Sequence, residues 1–461
     1  MTFPAFVVAA ARSGSGKTTF TTGLLRALAL KGHRVQPFKV GPDFIDPSYL
    51  AAAAGRSCRN LDGHLLGAST LTGLFEQGCR GADVAVVEGV MGLYDGLGPE
   101  GLYSTAWTAR CLGLPVLLLV DASAGATSVA AIVHGFATLP ALAPSLVAVV
   151  LNRVGSDGHG EMVAEAVRDL TGLPVLGWLP KMPEAAFPSR HLGLIPAGER
   201  EGLSAQINRL GQAVLERIDL ARLLALASDR KVSRGPSLRP FFPLTDRPLR
   251  VAYGWDRAFS FYYRDALDLL EVLGAELVPT SPLGDEDLPE GTEALFLGGG
   301  YPEVFLDELA ENAPYLASLR SAHGRGLPIY AECGGMIYLG RSLTDEKGQK
   351  RPLAGLLELD TVMTDRLQRF GYVHVDVLEK TVLQQKGIRL PGHEFHYSAA
   401  AGALPDAYRV SRAGRESSSW SEGYRSGNLL ASYVHLHFWS DPSMAERFLR
   451  FALERRTPHG R

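Results

Sequence analysis

The 461-residue chain has few cysteines, almost no net charge and no long apolar run, and each shortage narrows what it can do. Only four cysteines occur, Cys58, Cys79, Cys111 and Cys333, and none forms a C-x-x-C pair. That speaks against a disulfide framework, a structural zinc site and a dithiol redox centre, and fits a reducing cytoplasm. Lys and Arg number 46 against 49 Asp and Glu, a net charge of −3. No basic excess calls for nucleic acid or an anionic membrane as partner. The longest apolar run, Leu112–Val120, is strand-sized, so no membrane span is expected. The first residues lack a basic segment followed by an apolar core and a cleavage site, so no signal peptide is expected and the cytoplasm is the expected location.

What is present is ordinary globular material, 46% hydrophobic and 21% charged, in a length that suits two to four domains. The first half alternates short apolar strands with helical stretches. The strands are predicted at Phe6–Ala10, Arg34–Phe38, Val84–Glu88, Val116–Asp121, Leu146–Asn152 and Val175–Trp178. This pattern predicts a parallel α/β sheet covered on both faces, with functional residues at the carboxyl ends of its strands. Gly202–Ala227 reads as one helix. Ser228–Pro248, rich in Pro, Arg and Ser, reads as a linker between domains 1–227 and 249–461. After it the pattern restarts, with a strand at Leu249–Tyr253, a helix at Phe261–Leu273 and strands at Ala294–Leu297, Ile329–Ala331, His393–Tyr397 and Leu429–Phe438.

The stretch Ala11-Arg12-Ser13-Gly14-Ser15-Gly16-Lys17-Thr18-Thr19 follows the first strand and opens a helix. Strand, Gly-rich loop and helix N-terminus together form the setting of a P-loop, with Ala11 in place of the usual first Gly. Small residues let backbone N–H groups surround phosphate oxygens, and the helix N-terminus adds partial positive charge. The nucleotide-binding candidates are Ser13, Gly14, Ser15, Gly16, Lys17, Thr18 and Thr19. Lys17 suits the β/γ-phosphates and the Thr18 hydroxyl suits Mg²⁺.

Two acidic clusters follow predicted strand ends. In Lys39-Val40-Gly41-Pro42-Asp43-Phe44-Ile45-Asp46-Pro47 the prolines predict Asp43 and Asp46 on a loop, not in a helix. In the second, a buried strand ends in Glu88 and a Gly-rich loop leads to Asp95. A carboxylate at that place can hold Mg²⁺. Asn152, at another strand end, is a candidate for reading the nucleotide base.

The second half holds Ala331-Glu332-Cys333-Gly334-Gly335, a short strand meeting a cysteine and two glycines that begin a helix. This is the pattern of a nucleophile elbow, and the helix N-terminus favours a thiolate. Such a nucleophile needs a base. His435 and His437, predicted on one face of a strand, are the leading candidates, with His393 and His396 as rivals. The loop Gly298-Gly299-Gly300-Tyr301 also follows a strand and offers oxyanion-hole N–H groups. Gly299, Gly300 and Gly334 are the oxyanion-hole candidates.

Cys333 in its Ala-Glu-Cys-Gly-Gly setting, the Gly298–Glu303 loop and Tyr433-Val434-His435 resemble a class I (triad) glutamine amidotransferase domain of the cobyrinic/cobyric acid type. The P-loop, Lys39–Pro47 and Glu88–Gly96 resemble the dethiobiotin-synthetase-like ATPase half of the same enzymes. Taken in order, roughly residues 4–445 resemble the cobyrinate a,c-diamide synthase family. The resemblance implies a P-loop parallel-sheet domain followed by an α/β amidotransferase domain. It implies L-glutamine hydrolysis at Cys333 with His435 as base, ATP and Mg²⁺ as requirements, and a corrinoid acid as the amidated partner.

By matching motif position, Asp43, Asp46, Glu88 and Asp95 are implied to support carboxylate activation, with Asp43, Glu88 and Thr18 as Mg²⁺ ligands. Lys39 is implied to stabilise the transferred phosphoryl group. His437 stands where many triad enzymes carry Glu, which leaves backbone, water or Glu394 to orient His435. Phe44 stands where many relatives carry Tyr. The competing readings are cobyric acid synthase, a nickel-tetrapyrrole a,c-diamide synthase, and a partition-type regulatory ATPase with a non-catalytic amidotransferase fold. A homodimer is the candidate assembly.

Overall fold

The computed structural model describes residues 3–139, 144–183, 187–190, 193–228 and 238–456. The chain forms two compact units, Met1–Leu238 and Arg239–Arg461. Residues 229–237 of the expected linker lie outside the described residues. The part that follows packs on the second unit: Phe241 meets Trp439 edge-on at 5.5 Å, and Leu244 N–H donates to the Leu273 carbonyl.

The first unit is built on seven parallel strands, β1 (Ala5–Ala10), β2 (Val35–Val40), β3 (Arg59–Leu61), β4 (Val84–Glu88), β5 (Val116–Asp121), β6 (Leu146–Val154) and β7 (Val175–Pro180). Their order across the sheet is β3-β2-β4-β1-β5-β6-β7. All six residues of β1 and all five of β4 are buried, which is why their sequences run apolar without alternation. The helix α1 (Lys17–Leu30) buries Phe20, Leu24, Leu25 and Leu28 in the core. β3 escapes the sequence reading because it is three residues long and ends the sheet.

The single helix expected over Gly202–Ala227 is two helices, Leu203–Arg217 and Leu220–Ser228. The break is a tertiary effect. Ile218 bridges to Gly177 of β7, and Asp219 N–H donates to the Leu176 carbonyl at 2.9 Å. The sheet edge takes the backbone groups that a continuing helix would have used.

The second unit centres on a six-stranded sheet. Its order is Ala275–Thr280, Leu249–Gly254, Ala294–Leu297, Ile329–Glu332, Leu429–Ser432 and Tyr424–Ser426, and only the last pair is antiparallel. A separate antiparallel sheet includes the strands Arg369–Val377 and Arg389–His396. Two expectations fail here. The helix placed at Phe261–Leu273 begins only at Arg264, because Phe259–Phe261 pairs as a strand with Gly299–Gly300. The strand placed at Leu429–Phe438 ends at Ser432, so His435 and His437 lie beyond it.

Candidate active sites

The first site lies at the carboxyl ends of β1, β2 and β4. Gly16 has φ 86°, which favours glycine. A Cβ on it would lie 2.6 Å from Asn152 Nδ2, so Gly16 also makes room for Asn152. The Asn152 amide donates to the Ser15 carbonyl at 2.9 Å. Asn152 thus braces the loop itself. Lys17 Nζ donates to the Met91 carbonyl at 2.5 Å. Met91 has φ 47°, a left-handed conformation in a loop that also packs on the P-loop: Leu93 N–H donates to the Ala10 carbonyl.

Lys39 is the hub of the acidic residues. β2 and β4 pair with Lys39 opposite Glu88, so neighbouring strands present the two side chains together. Lys39 Nζ lies 2.7 Å from Glu88 Oε1, 2.6 Å from Asp46 Oδ2 and 4.0 Å from Asp43. Thr18 Oγ1 lies 3.0 Å from the same Glu88 oxygen and 3.2 Å from Asp46 Oδ2. Burial opposes the charge on Lys39, but Asp46, Glu88 and Asp43 outweigh it and raise Lys39 well above the ordinary lysine range. Burial, followed by Lys39, lowers Lys17 to about 8. Burial pushes Glu88 up, whereas Lys39 overrides burial at Asp46 and holds it down.

Two acidic residues depart from the sequence reading. Asp46 was expected on a loop, but it is the first residue of the helix Asp46–Ala54. Pro47 falls in the first turn, where a missing N–H costs no hydrogen bond, and Asp43 accepts the Ile45 and Asp46 N–H groups at 2.8 and 3.0 Å. Asp95 does not join the Lys39 cluster. Its carboxylate accepts the Gly92 N–H at 2.8 Å and shapes the loop after β4. Among the described residues, no three His, Cys, Asp or Glu side chains are grouped to hold a metal ion.

The second site is built on the Ile329–Glu332 strand and the helix Gly334–Leu339. Cys333 joins them with φ 46° and ψ −104°, a strained turn for a residue with a Cβ. Gly334 and Gly335 relieve the crowding. A Cβ on Gly335 would lie 2.4 Å from the Leu297 carbonyl, and one on Gly334 would lie 2.9 Å from Gly300 N. Gly299 faces His435, whose Cε1 would stand 2.8 Å from an added Cβ. The glycine loop, the elbow and the histidine thus converge.

His435 is 3% exposed, and the Cys333 side chain is near enough to favour its charged form. Its Nδ1 lies 3.0 Å from Glu332 Oε2. Glu332 is fixed in turn: Tyr330 OH and Leu436 N–H donate to its Oε1 at 2.5 and 3.1 Å. Burial opposes a charge on His435, but Cys333 and Glu332 outweigh it and raise His435 to about 10.

Glu332 was not singled out in the sequence reading, although it stands beside Cys333 in the motif. Glu394 was offered as the orienting carboxylate, and Glu332 holds that position instead. His437 is excluded from it by packing. It stacks on Tyr263 at 4.7 Å, its Nδ1 accepts the Trp439 N–H, and burial lowers it to about 3. His393 exchanges backbone hydrogen bonds with His435, and His396 stacks on Tyr433 at 3.8 Å.

Comparison with known proteins agrees with both halves. A family model described as the CobQ/CobB/MinD/ParA nucleotide binding domain matches residues 6–195. Another, the CobB/CobQ-like glutamine amidotransferase domain, matches residues 250–443. The chain is 42% identical to a cobyrinate a,c-diamide synthase of Listeria innocua serovar 6a, over 95% of this chain and 97% of that one. It is 42% identical to that of Streptococcus sanguinis, over 97% and 99%. It is 43% identical to that of Salmonella typhimurium, over 97% and 98%. With this identity over nearly the whole length, and a P-loop unit followed by a Cys-His amidotransferase unit, the chain belongs to the cobyrinate a,c-diamide synthase family.

Proposed function

We propose that this chain is an ATP-dependent, glutamine-hydrolysing amidoligase of the cytoplasm. In this reading it converts the a and c side-chain carboxylates of a corrinoid acid, cobyrinic or hydrogenobyrinic acid, to carboxamides in cobalamin biosynthesis. The observation that supports it is the coexistence in one chain of two kinds of site. One is a P-loop with a buried lysine held by two carboxylates, and the other is an elbow cysteine beside a glutamate-oriented histidine.

At the second site His435 holds the proton of the Cys333 thiol, and the thiolate attacks the side-chain carbonyl of glutamine. The Gly300 and Gly334 N–H groups stabilise the oxyanion. His435 then donates its proton to the leaving ammonia, and water cleaves the thioester to glutamate. Glu332 keeps the imidazole oriented and stabilises its positive charge. At the first site the γ-phosphoryl group of ATP passes to a substrate carboxylate, with Lys17 and Lys39 stabilising its charge. A carboxylate is a poor acyl donor, and the acyl phosphate supplies a leaving group that ammonia displaces.

Mg²⁺ fits this site. Thr18 Oγ1 and Glu88 supply hard oxygen donors, and Glu88 Oε2 is buried without a hydrogen-bond partner among the described residues. When bound, the ion neutralises phosphate charge; a P-loop needs few protein ligands for it, because phosphates and waters complete the shell. Asp43 stands one position further out, 4.0 Å from Lys39, and positions substrate in this reading.

The test is mass spectrometry of products. Cobyrinic acid, hydrogenobyrinic acid and a nickel tetrapyrrole acid are each incubated with ATP, Mg²⁺ and glutamine. The expected result is two successive amidations of a corrinoid acid with equivalent release of glutamate. Amidation of the nickel ring alone, or of corrinoid side chains other than a and c, overturns the substrate assignment.

A further inference from the structure

Resting on the glutaminase reading, we infer that Glu394 is the acceptor for the α-ammonium group of glutamine. Glu394 is not needed to orient His435, because Glu332 holds that position. Glu394 is 1% exposed on the strand Arg389–His396. Strand alternation puts it on one face with Gly392 and His396. That face covers the histidine-bearing segment: a Cβ on Gly392 would lie 2.4 Å from Val434, and His396 stacks on Tyr433. Glu394 thus lies on the face toward the chain that carries His435, and a charge on His435 favours its ionised form.

A buried carboxyl needs a partner, and Glu394 has little. The Trp420 indole is near enough to favour its charged form. Otherwise neither oxygen finds a hydrogen-bond partner among the described residues. Arg369 and Glu422 are the other charged neighbours. Arg369 stacks its guanidinium on the Trp420 ring at 4.2 Å. Glu422 accepts the Tyr433 N–H and the Ser432 hydroxyl, so it is committed to the strand beneath.

The strand opposite leaves room. Its cross-strand partner is Gly371, with φ 112°, and a Cβ built there meets nothing within 4 Å. Burial, and then Glu422, raises Glu394 to about 8. That is the condition of a carboxyl which ionises when a cation arrives. Glutamine brings one cation, its α-ammonium, and must bring it near Cys333 and His435.

The experiment compares glutamine with 4-carbamoylbutanoate, which is glutamine without the α-ammonium. Amide hydrolysis is followed in the full-length wild type and in Glu394→Gln, with ammonia-dependent amidation of the corrinoid acid as the control. A site built around a buried polar contact rejects an analogue that leaves the contact unmade. The wild type is therefore expected to favour glutamine by about 100-fold or more in kcat/KM. In Glu394→Gln the preference collapses to within about tenfold, through a raised KM for glutamine, while ammonia-dependent amidation is unchanged. A Glu394→Gln enzyme that keeps the wild-type preference overturns the inference, as does a wild type that hydrolyses both amides equally. If Glu394→Gln hydrolyses neither amide, Glu394→Asp decides: it keeps the charge and must keep the preference, and losing it counts against the inference. A wild type that hydrolyses neither amide sinks the glutaminase reading itself, which is a separate result.

Discussion

Around Cys333 the backbone is under strain, whereas around Lys39 the stress is electrostatic. At the elbow a residue with a Cβ sits at φ 46°, and three glycine positions are packed so closely that a methyl group would collide. The histidine is already paired with its carboxylate in the protein alone. At the P-loop the left-handed residue, Met91, lies on a flanking loop, and the reactive groups are instead crowded by charge: Lys39 and Glu88 are buried together, with the half-buried Asp46 beside them. The contrast follows from the substrates. Glutamine brings an uncharged amide to the nucleophile, so that site must supply geometry. ATP and a carboxylate bring negative charge, so that site must hold cations ready for it.

The largest expected effect separates the two regions outright. Cys333→Ala should lower glutamine-dependent amidation by about 10³-fold or more, while amidation with added ammonium salt persists. Product mass spectrometry with each nitrogen source reads this, and loss of both reactions in a folded protein breaks the division of labour.

Lys39→Met probes the electrostatic side. It leaves Glu88 and Asp46 without their cation, so both nitrogen sources should lose about 10²-fold in rate. Breaking a buried pair by removing one partner should also cost about 3–5 kcal/mol of stability. Denaturant midpoints measure that cost, and Lys39→Met combined with Glu88→Gln should recover part of it. A stable, active Lys39→Met protein would show that the cluster is incidental.

Glu332→Gln gives the smallest and most graded change. Its glutamine reaction should fall by about 10- to 100-fold, with the ammonia reaction untouched. The pH dependence has a definite sign. His435 is raised from an ordinary 6.5 to about 10, so its charged form stabilises the fold fully below pH 6.5. That contribution declines as pH rises and is gone above about pH 10. Denaturation of wild type and Glu332→Gln at pH 6, 8 and 10 should therefore show a stability gap that narrows toward pH 10. A gap that widens with pH contradicts the pairing of a charged His435 with Glu332.

Much of this was legible in the chain because it is written in short spacings. Ser13–Thr19 between an apolar strand and an apolar helix has few other uses, and Cys333 before two glycines is equally local. Glu332 was missed for a physical reason. Alternation along a strand sends residues 332 and 333 to opposite faces, and the turn at Cys333 suspends that rule. His437 misled because the strand ends at Ser432, so the shared face predicted for His435 and His437 does not exist. Asp95 reads as a fourth carboxylate of the first site; its carboxylate caps the Gly92 N–H of a glycine-rich loop, and its charge acts on Lys17.

By itself the sequence determined the two α/β units, the phosphate loop and the nucleophile, since each depends on residues within about one turn or one strand of each other. Which groups serve them was decided only by the tertiary structure. Lys39 meets Glu88 because β2 lies beside β4 in a register that pairs those two positions. His435 meets Glu332 because the strand Leu429–Ser432 lies beside Ile329–Glu332, and a bridge to His393 holds the histidine at its end. Periodicity says which face a side chain takes, but strand order and register say what it finds there.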